Sequence, residues 1–235
     1  MSRLCKVLCA AALAAVVGRP AWAGGTVAGV VISLKGSPMV IGTDKKEKKL
    51  KVNGFVYEGD TVKTDVGELV GIAFVGGAEL RINEGSEFVM ESGGGRQVTS
   101  VKTRVGQAWT RLLHGRAGMQ VRSPMAVAAV RGTEADVDVQ DRMTVKVYEG
   151  LVDVLNDKGK QSLGAGQMAE VGGVGQAPGA PRRMSQGDYG NWQEGLQAKD
   201  LDKSLNKLKA EADRIKEKQV QGKGKTIKLK LEKKK

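Results

Sequence analysis

Apolar and polar positions alternate along residues 26–171, which is the pattern of half-buried β-strands. Glycines interrupt the alternation every 8 to 12 residues or so, the spacing of turns in all-β domains, and many stand where a tight turn needs a positive φ. The sequence therefore predicts an all-β domain over residues 24–171. The clearest alternating runs are Val30, Ile32 and Leu34; Val70, Ile72 and Phe74; Val137 and Val139; Val145 and Val147; and Val152 and Val154.

The scarcity of aromatic residues refines this prediction. Only 4% of the chain is aromatic, while Gly occurs 33 times. Thin layers of small β-branched side chains suit such a composition better than a thick core built around large rings. Close backbone approach at glycine corners favours the same architecture. We therefore expect a solenoid-like or rolled β-sheet stack, without a strict internal repeat.

The composition changes after Val171. Residues 172–187 are rich in Gly, Pro and Ala and predict a mobile linker. Residues 188–218 predict an amphipathic helix, because apolar residues recur at steps of three and four. A helix of this length is only marginally stable in isolation. We therefore expect it to pack on the β domain, to pair with another helix or to be only partly formed. The apolar seam is Ala198, Leu201, Leu205, Leu208, Ala212 and Ile215, of which Leu201, Leu205, Leu208 and Ile215 are the candidate interaction residues.

Positive charge is concentrated at the carboxyl end. The chain has a net charge of +12, and residues 199–235 alone hold 14 Lys or Arg against 6 Asp or Glu. Residues 219–235 predict a free basic tail; the alternating Ile227, Leu229 and Leu231 allow an edge strand as the alternative. The candidate contacts to an anionic surface are Lys223, Lys225, Lys228, Lys230, Lys233, Lys234 and Lys235.

The amino-terminal residues predict export. Arg3 and Lys6 precede an apolar run over 7–17, and Ala21-Trp22-Ala23 is a small-x-small cleavage site, so residues 1–23 have the organisation of a secretory signal peptide. We expect a periplasmic or secreted protein after cleavage near Ala23. Both cysteines lie within this segment, so the processed chain would hold no disulfide.

Several motifs occur in an order that resembles the FecR domain. Residues 123–139 contain Ala-Val-Arg-Gly-Thr, residues 144–154 contain Val-Tyr-Glu-Gly-Leu-Val, and residues 163–171 contain Leu-Gly-Ala-Gly-Gln. Upstream, residues 59–64 read Gly-Asp-Thr-Val-Lys-Thr. Together these resemble the family pattern over residues 26–171. The residues that match the family motifs are Arg131, Gly132, Thr133, Glu149, Gly150, Gly166 and Gln167.

The resemblance implies an exported β module that acts by binding. FecR-type regulators relay a signal from an outer-membrane receptor to a sigma factor, through a membrane-spanning segment and a cytoplasmic part. This chain has a predicted signal peptide in their place, so the resemblance implies the module rather than transmembrane signalling. For Arg131, Gly132 and Thr133, we favour an architectural role at a glycine corner over contact with a ligand.

No constellation of residues predicts catalysis. His114 is the only histidine, and a triad or zinc site needs more partners than it has. Glu134, Asp136 and Asp138 share one face of a predicted strand; they are interpreted as a solvated outer face rather than a cation site. We therefore predict a non-enzymatic protein without a metal or cofactor.

Two tryptophans have structural interpretations. Trp109 lies on a predicted strand and is expected in the core or a groove. Trp192 follows Tyr189 closely, and this pair either anchors the helix onto the β domain, which is favoured, or stacks on a sugar ring.

The predicted function is that of a binding or scaffold module of the bacterial cell envelope. It would recognise a protein partner and take part in envelope signalling or assembly. The alternative is attachment to anionic polymers or membrane surfaces through the basic tail, with binding that weakens in salt. Sequence-specific nucleic-acid recognition is not expected, since base-reading motifs and stacking aromatics are lacking.

Overall fold

The structure, a computed structural model, describes residues 25–93, 98–113, 118–131, 134–198 and 200–232, with side chains described as far as Gln221. Strands dominate these residues, which confirms the all-β prediction for the domain. The described strands are β1 (Val27–Lys35), β2 (Met39–Ile41), β3 (Glu47–Lys49), β4 (Phe55–Tyr57), β5 (Thr61–Thr64), β6 (Leu69–Phe74), β7 (Ala78–Ile82), β8 (Ser86–Ser92), β9 (Thr99–Leu112), β10 (Met119–Arg122), β11 (Val127–Val130), β12 (Glu134–Val139), β13 (Met143–Glu149), β14 (Leu151–Asn156), β15 (Gly159–Gly164), β16 (Gln167–Val171) and β17 (Arg182–Arg183). Two 3-10 helices span Gln186–Asp188 and Trp192–Gly195, and the helix α1 spans Leu201–Glu232.

The strands pair into two sheets that share β9. Sheet A has the order β4-β1-β6-β7-β9-β12-β13-β16-β17. Sheet B has the order β3-β2-β5-β8-β9-β10-β11-β14-β15. Among the described strands every pairing is antiparallel except that of β9 with β10. This open topology does not confirm a solenoid-like or rolled stack.

The strand β9 passes from one sheet to the other at Gly106. Residues up to Val105 pair with β8 of sheet B, whereas residues from Gly106 onward pair with β12 of sheet A. Gly106 has a φ of +129°, and a Cβ there would lie 2.4 Å from the Cβ of Ser86. Only glycine fits such a crossing without strain.

The core lies between the two sheets and consists of small apolar side chains. Alternate residues of every long strand point into it, as the period of two requires. Phe74 and Phe88 are the largest of the fully buried side chains, and valine, leucine, isoleucine, methionine and alanine supply the rest. The predicted inward positions Val70, Ile72 and Val137 are all fully buried.

The helix α1 packs on the outer face of sheet A. Leu208 and Ala212 are buried against Val27, Val30 and Ile32 of β1. The seam residues Leu201, Leu205 and Ile215 pack against the same apolar cluster, together with Ala198. Of the three fates predicted for the helix, packing on the β domain is the one observed.

The boundaries of the carboxyl-terminal elements differ from the prediction. The helix begins at Leu201 rather than residue 188, because Gly190 and Gly195 lie in the preceding segment, where the chain forms two 3-10 helices instead. It also continues to Glu232, so the backbone of residues 219–232 is helical rather than a free tail or an edge strand. The predicted linker is not free throughout, since Arg182 and Arg183 pair with β16.

Candidate functional site

Polar side chains cover the outer face of sheet A on strands β7, β9, β12 and β13. This is the half of the face that α1 does not cover. Residues 184–196, which we call the strap, lie across these side chains and connect β17 to the residues before α1. The outward side chains under the strap are Glu79, Arg81, Gln107, Trp109, Arg111, Asp136, Lys146 and Tyr148, which we call the seat.

A buried carboxylate joins two arginines in the seat. Glu79 is fully buried; its Oε1 accepts from Arg81 Nε at 2.8 Å and its Oε2 from Arg111 Nη2 at 2.7 Å. Both guanidinium carbons lie near the ring of Trp109, at 4.6 and 5.5 Å from its centroid. Because β7 and β9 are adjacent, Arg81 lies directly opposite Trp109. The cluster is a charge network held against an aromatic face.

Asp136 is the second buried carboxylate of the seat. Its side chain accepts hydrogen bonds from Gln107 Nε2 at 2.9 Å and from Trp192 Nε1 of the strap at 2.9 Å. Desolvation raises the pKa of Asp136 to about 6, although these hydrogen bonds and nearby Lys146 act in the opposite direction. The expectation of a solvated outer face is therefore wrong for Asp136, because the strap covers it.

Two further contacts hold the first half of the strap. Lys146 Nζ donates to the carbonyl of Asp188 at 2.8 Å, and the rings of Tyr148 and Tyr189 lie 5.9 Å apart. Desolvation, followed by the charge of Asp136, raises the pKa of Tyr148 to about 12. Trp192 and Tyr189 thus both anchor the chain intramolecularly, which agrees with the favoured interpretation, although they anchor the strap and not the helix itself.

The family motif residues form turns and an ion pair on sheet B. Arg131 lies 3.2 Å from the buried carboxylate of Asp153, which also contacts Lys160 and Ser162. Gly150 has a φ of +84° at the turn between β13 and β14, and Glu149 beside it is exposed. These contacts suit an architectural role. Gly132 and Thr133 lie outside the described residues.

The last family motif closes the turn before β16. Gly166 has a φ of +75°, and the side chain of Gln167 accepts a hydrogen bond from the amide of Gly164 at 2.7 Å. The carbonyl of Gly166 also accepts from the amide of Met184, where the strap begins. The motif therefore positions the start of the strap.

The outer face of sheet B is exposed and basic at its centre. Lys102, Arg104 and Arg122 are all exposed on β9 and β10. Lys102 lies directly opposite Arg122, whose other neighbour across the sheet is Val127. Arg122 contacts Glu91 at 3.5 Å. Unlike sheet A, this face presents its charges to solvent.

Some predicted site residues cannot be placed. Lys223, Lys225, Lys228 and Lys230 lie on α1 where side chains are not described, and Lys233, Lys234 and Lys235 lie outside the described residues, as does His114. Within the described part of the chain, no three His, Cys, Asp or Glu residues are grouped to hold a metal ion.

Comparison with known proteins identifies the family of the central residues. The family model described as FecR protein matches residues 60–153. This part of the chain carries a FecR domain. The match begins at Asp60 of the Gly-Asp motif and ends at Asp153, the partner of Arg131. The sequence-based recognition of the family is therefore confirmed.

Solved structures and curated proteins add little to this identification. Two crystal structures, at 1.65 and 2.50 Å, of a candidate anti-sigma factor from Parabacteroides distasonis are similar to the chain, each with a TM-score of 0.47 and 17% identity. The similarity covers 53% of this chain and 60% of theirs. No curated protein matches the chain.

The seat and strap were missed by sequence reasoning. Alternation correctly placed Glu134, Asp136 and Asp138 on one face of a strand, but it carries no information on what covers that face. The sequence signal for the strap was the pair Tyr189 and Trp192 in an otherwise Gly-rich segment, since large aromatic side chains usually bury surface area within the protein.

Proposed function

We propose that this protein is an exported, non-enzymatic FecR-domain module that binds a protein partner of the cell envelope and takes part in envelope signalling or assembly. The observation that carries the proposal is the difference between the two outer faces. The outer face of sheet A is occupied by α1 and the strap, whereas that of sheet B presents exposed side chains. The partner would bind sheet B.

The charges of sheet B indicate the chemistry of the partner. Lys102 and Arg122 face each other across neighbouring strands, and like charges in such positions repel. Glu91, which lies 3.5 Å from Arg122, offsets part of this repulsion. Carboxylates of a partner would relieve this repulsion, which favours an acidic protein surface. Half-buried Val127 and Ala129 adjoin these cations on β11 and supply apolar contact area.

Export is the part of the proposal that rests on sequence alone. Residues 1–23, the predicted signal peptide, lie outside the described residues. None of the helices in the described part of the chain has the length and apolar character needed to span a membrane.

Affinity capture from envelope extracts tests the binding surface. The bait is the processed chain, compared with a Lys102→Glu/Arg122→Glu double variant. We expect one stoichiometric partner that the wild type retains and the double variant loses by at least tenfold, since charge reversal at an interface costs several kcal/mol. The matched control is Lys203→Glu/Lys209→Glu, which changes the net charge equally on the exposed side of α1.

The control separates recognition from general charge attraction. Retention by the control and loss by the double variant would support binding through sheet B. Equal retention by all three proteins, or turnover of a substrate by the purified chain, would contradict the proposal.

A second candidate function is attachment to an anionic surface through the end of α1. The last seam residue packed on sheet A is Ile215, yet the helix continues to Glu232. Lys223, Lys225, Lys228 and Lys230 occur in this extension. Clustered lysines contribute about 1 kcal/mol each at an anionic membrane.

Vesicles containing phosphatidylglycerol test this candidate. The full processed chain should sediment with them at low salt and detach at high salt, whereas a chain ending at Lys218 should not bind. Vesicles of phosphatidylcholine alone are the control. Binding that is unaffected by the truncation would contradict the candidate.

A further inference from the structure

The strap is attached to the seat mainly by polar contacts. Leu196 is its one fully buried apolar side chain among the described residues, and neither 3-10 helix buries a residue. The hydrogen bonds that connect it to the seat include Trp192 to Asp136, Arg81 to the carbonyl of Gln193 at 2.6 Å, and Lys146 to the carbonyl of Asp188. Since water competes for such groups, each bond adds little net stability to the closed state.

The fit between strap and seat is incomplete. Trp109 Nε1 and Arg111 Nε are buried in the seat without a hydrogen-bond partner among the described residues. Gln193 Oε1 of the strap is buried and unpaired in the same way. A buried polar atom without a partner destabilises the contact that buries it. A ligand with acceptors at these positions would satisfy two donors of the seat that the strap leaves unpaired.

The seat also has the composition of a binding surface. Its large side chains are Trp109, Tyr148, Arg81 and Arg111, the residue types that dominate the energetics of protein interfaces. The glycine content of the strap and of the preceding segment favours detachment of the strap from the seat. Gly187, Gly190 and Gly195 lie within the strap, and the Gly- and Pro-rich residues 172–181 precede it.

We propose that the seat is a peptide-binding surface and that the strap is its releasable internal occupant. The external ligand is an extended peptide segment that presents an indole N–H to Asp136 and a main-chain carbonyl to Arg81. It also presents acceptors, such as a carboxylate, to Trp109 Nε1 and Arg111 Nε. This surface lies on sheet A, so it is distinct from the partner surface proposed on sheet B, and either proposal can fail without the other.

Two versions of the full processed chain and one synthetic peptide test the proposal. In the first version residues 185–195 are replaced by a Gly-Ser segment of equal length, and the second is the wild type. The probe is a fluorescent peptide with the sequence of residues 183–197. We expect the replaced version to bind the probe at least tenfold more tightly than the wild type, because the internal strap competes at an effective concentration in the millimolar range.

Seat and probe variants show whether the same contacts are used. Asp136→Ala in the replaced version, and a probe with Trp192→Phe, should each weaken binding at least fivefold. Ser100→Ala, on the outer face of sheet B, is the matched control and should leave probe binding unchanged.

Three results of the binding assay would overturn the proposal. They are equal binding of the probe to both versions, no binding to a replaced version with an intact β-sheet circular dichroism spectrum, and binding that is insensitive to Asp136→Ala. Should the replacement prevent folding, full-length Trp192→Ala takes its place, with the same expected gain over the wild type. Dimers that form by exchange of straps would identify a second copy as the occupant and also contradict an external peptide.

Discussion

The outer face of sheet A is covered in two ways. On β1 and its neighbours it is apolar, and α1 covers it with Leu208 and Ala212. On β7, β9, β12 and β13 it is polar, and the strap covers it through hydrogen bonds to Asp136, Arg81 and Lys146. The same sheet face is thus covered by α1 through apolar packing and by the strap through hydrogen bonds.

The comparison shows how the type of contact determines what a cover can do. Apolar burial contributes stability in proportion to area, so α1 is a permanent part of the fold. Polar contacts exchange with water at small net cost, provided that the buried carboxylates find other partners. We therefore expect the strap half of the face to open more readily than the helix half.

Glu79→Ala should have the largest effect on the strap half. It removes the partner of both arginines and leaves the mostly buried Arg81 without a compensating carboxylate, so we expect the free energy of unfolding to fall by about 3 to 5 kcal/mol. Chemical denaturation measures this value. The exposed residue Glu87 gives the matched control, since Glu87→Ala should change stability by less than about 0.5 kcal/mol. Equal effects of the two variants would contradict the role of the cluster.

Leu208→Ala should have the next largest effect, on the helix half. Leu208 is 2% exposed, and removing a buried leucine side chain costs about 3 kcal/mol. We expect the seam half of α1 to lose protection from hydrogen exchange while the strap keeps its own. Lys209→Ala, on the exposed side of the same turn, is the control. Loss of strap protection in Leu208→Ala would show that the two covers are not independent.

Stability should depend on pH through Asp136. Its pKa is about 6 in the folded protein against an ordinary value of 3.8, so its contribution is fully present below about pH 4 and is lost as the pH rises through about 6. The loss is on the order of 2 to 3 kcal/mol. The titratable groups that interact with it are Asp138 on β12 and Lys146 and Tyr148 on β13.

Denaturation of wild type and Asp136→Asn from pH 4 to pH 8 measures this dependence. The difference in unfolding free energy between the two proteins should shift in favour of Asp136→Asn as the pH rises. A difference that stays constant over this range would mean that Asp136 is not titrating under the strap.

Trp192→Phe should have the smallest effect. It removes the indole N–H that donates to Asp136 but keeps the aromatic ring, so we expect a loss of about 1.5 kcal/mol. Hydrogen exchange should place this loss in the strap and leave α1 unchanged. Tyr189→Phe, which keeps the ring contact with Tyr148, is the matched control. A loss of protection in both the strap and α1 would show that the two segments do not open separately.

The sequence predicted the sheets better than their covers. Local alternation places Val70 and Ile72 inward, and both are fully buried. The buried state of Asp136 depends on Trp192, which is 56 residues away along the chain, and no local period reports such a contact. The predicted start of the helix at residue 188 is wrong. The composition of the residues around Gly190 and Gly195 is compatible with a helix, but the chain forms two 3-10 helices there and α1 begins only at Leu201.

Native-state hydrogen exchange tests the central claim most directly. It compares the strap amides of Asp188, Glu194 and Leu196, each hydrogen-bonded within the strap, with the amides of Leu205 to Ile215 in α1. The account predicts that the strap amides exchange through an opening that costs at least about 2 kcal/mol less than that of the helix, as expected for a separately opening unit. Equal opening free energies in the two segments would contradict it.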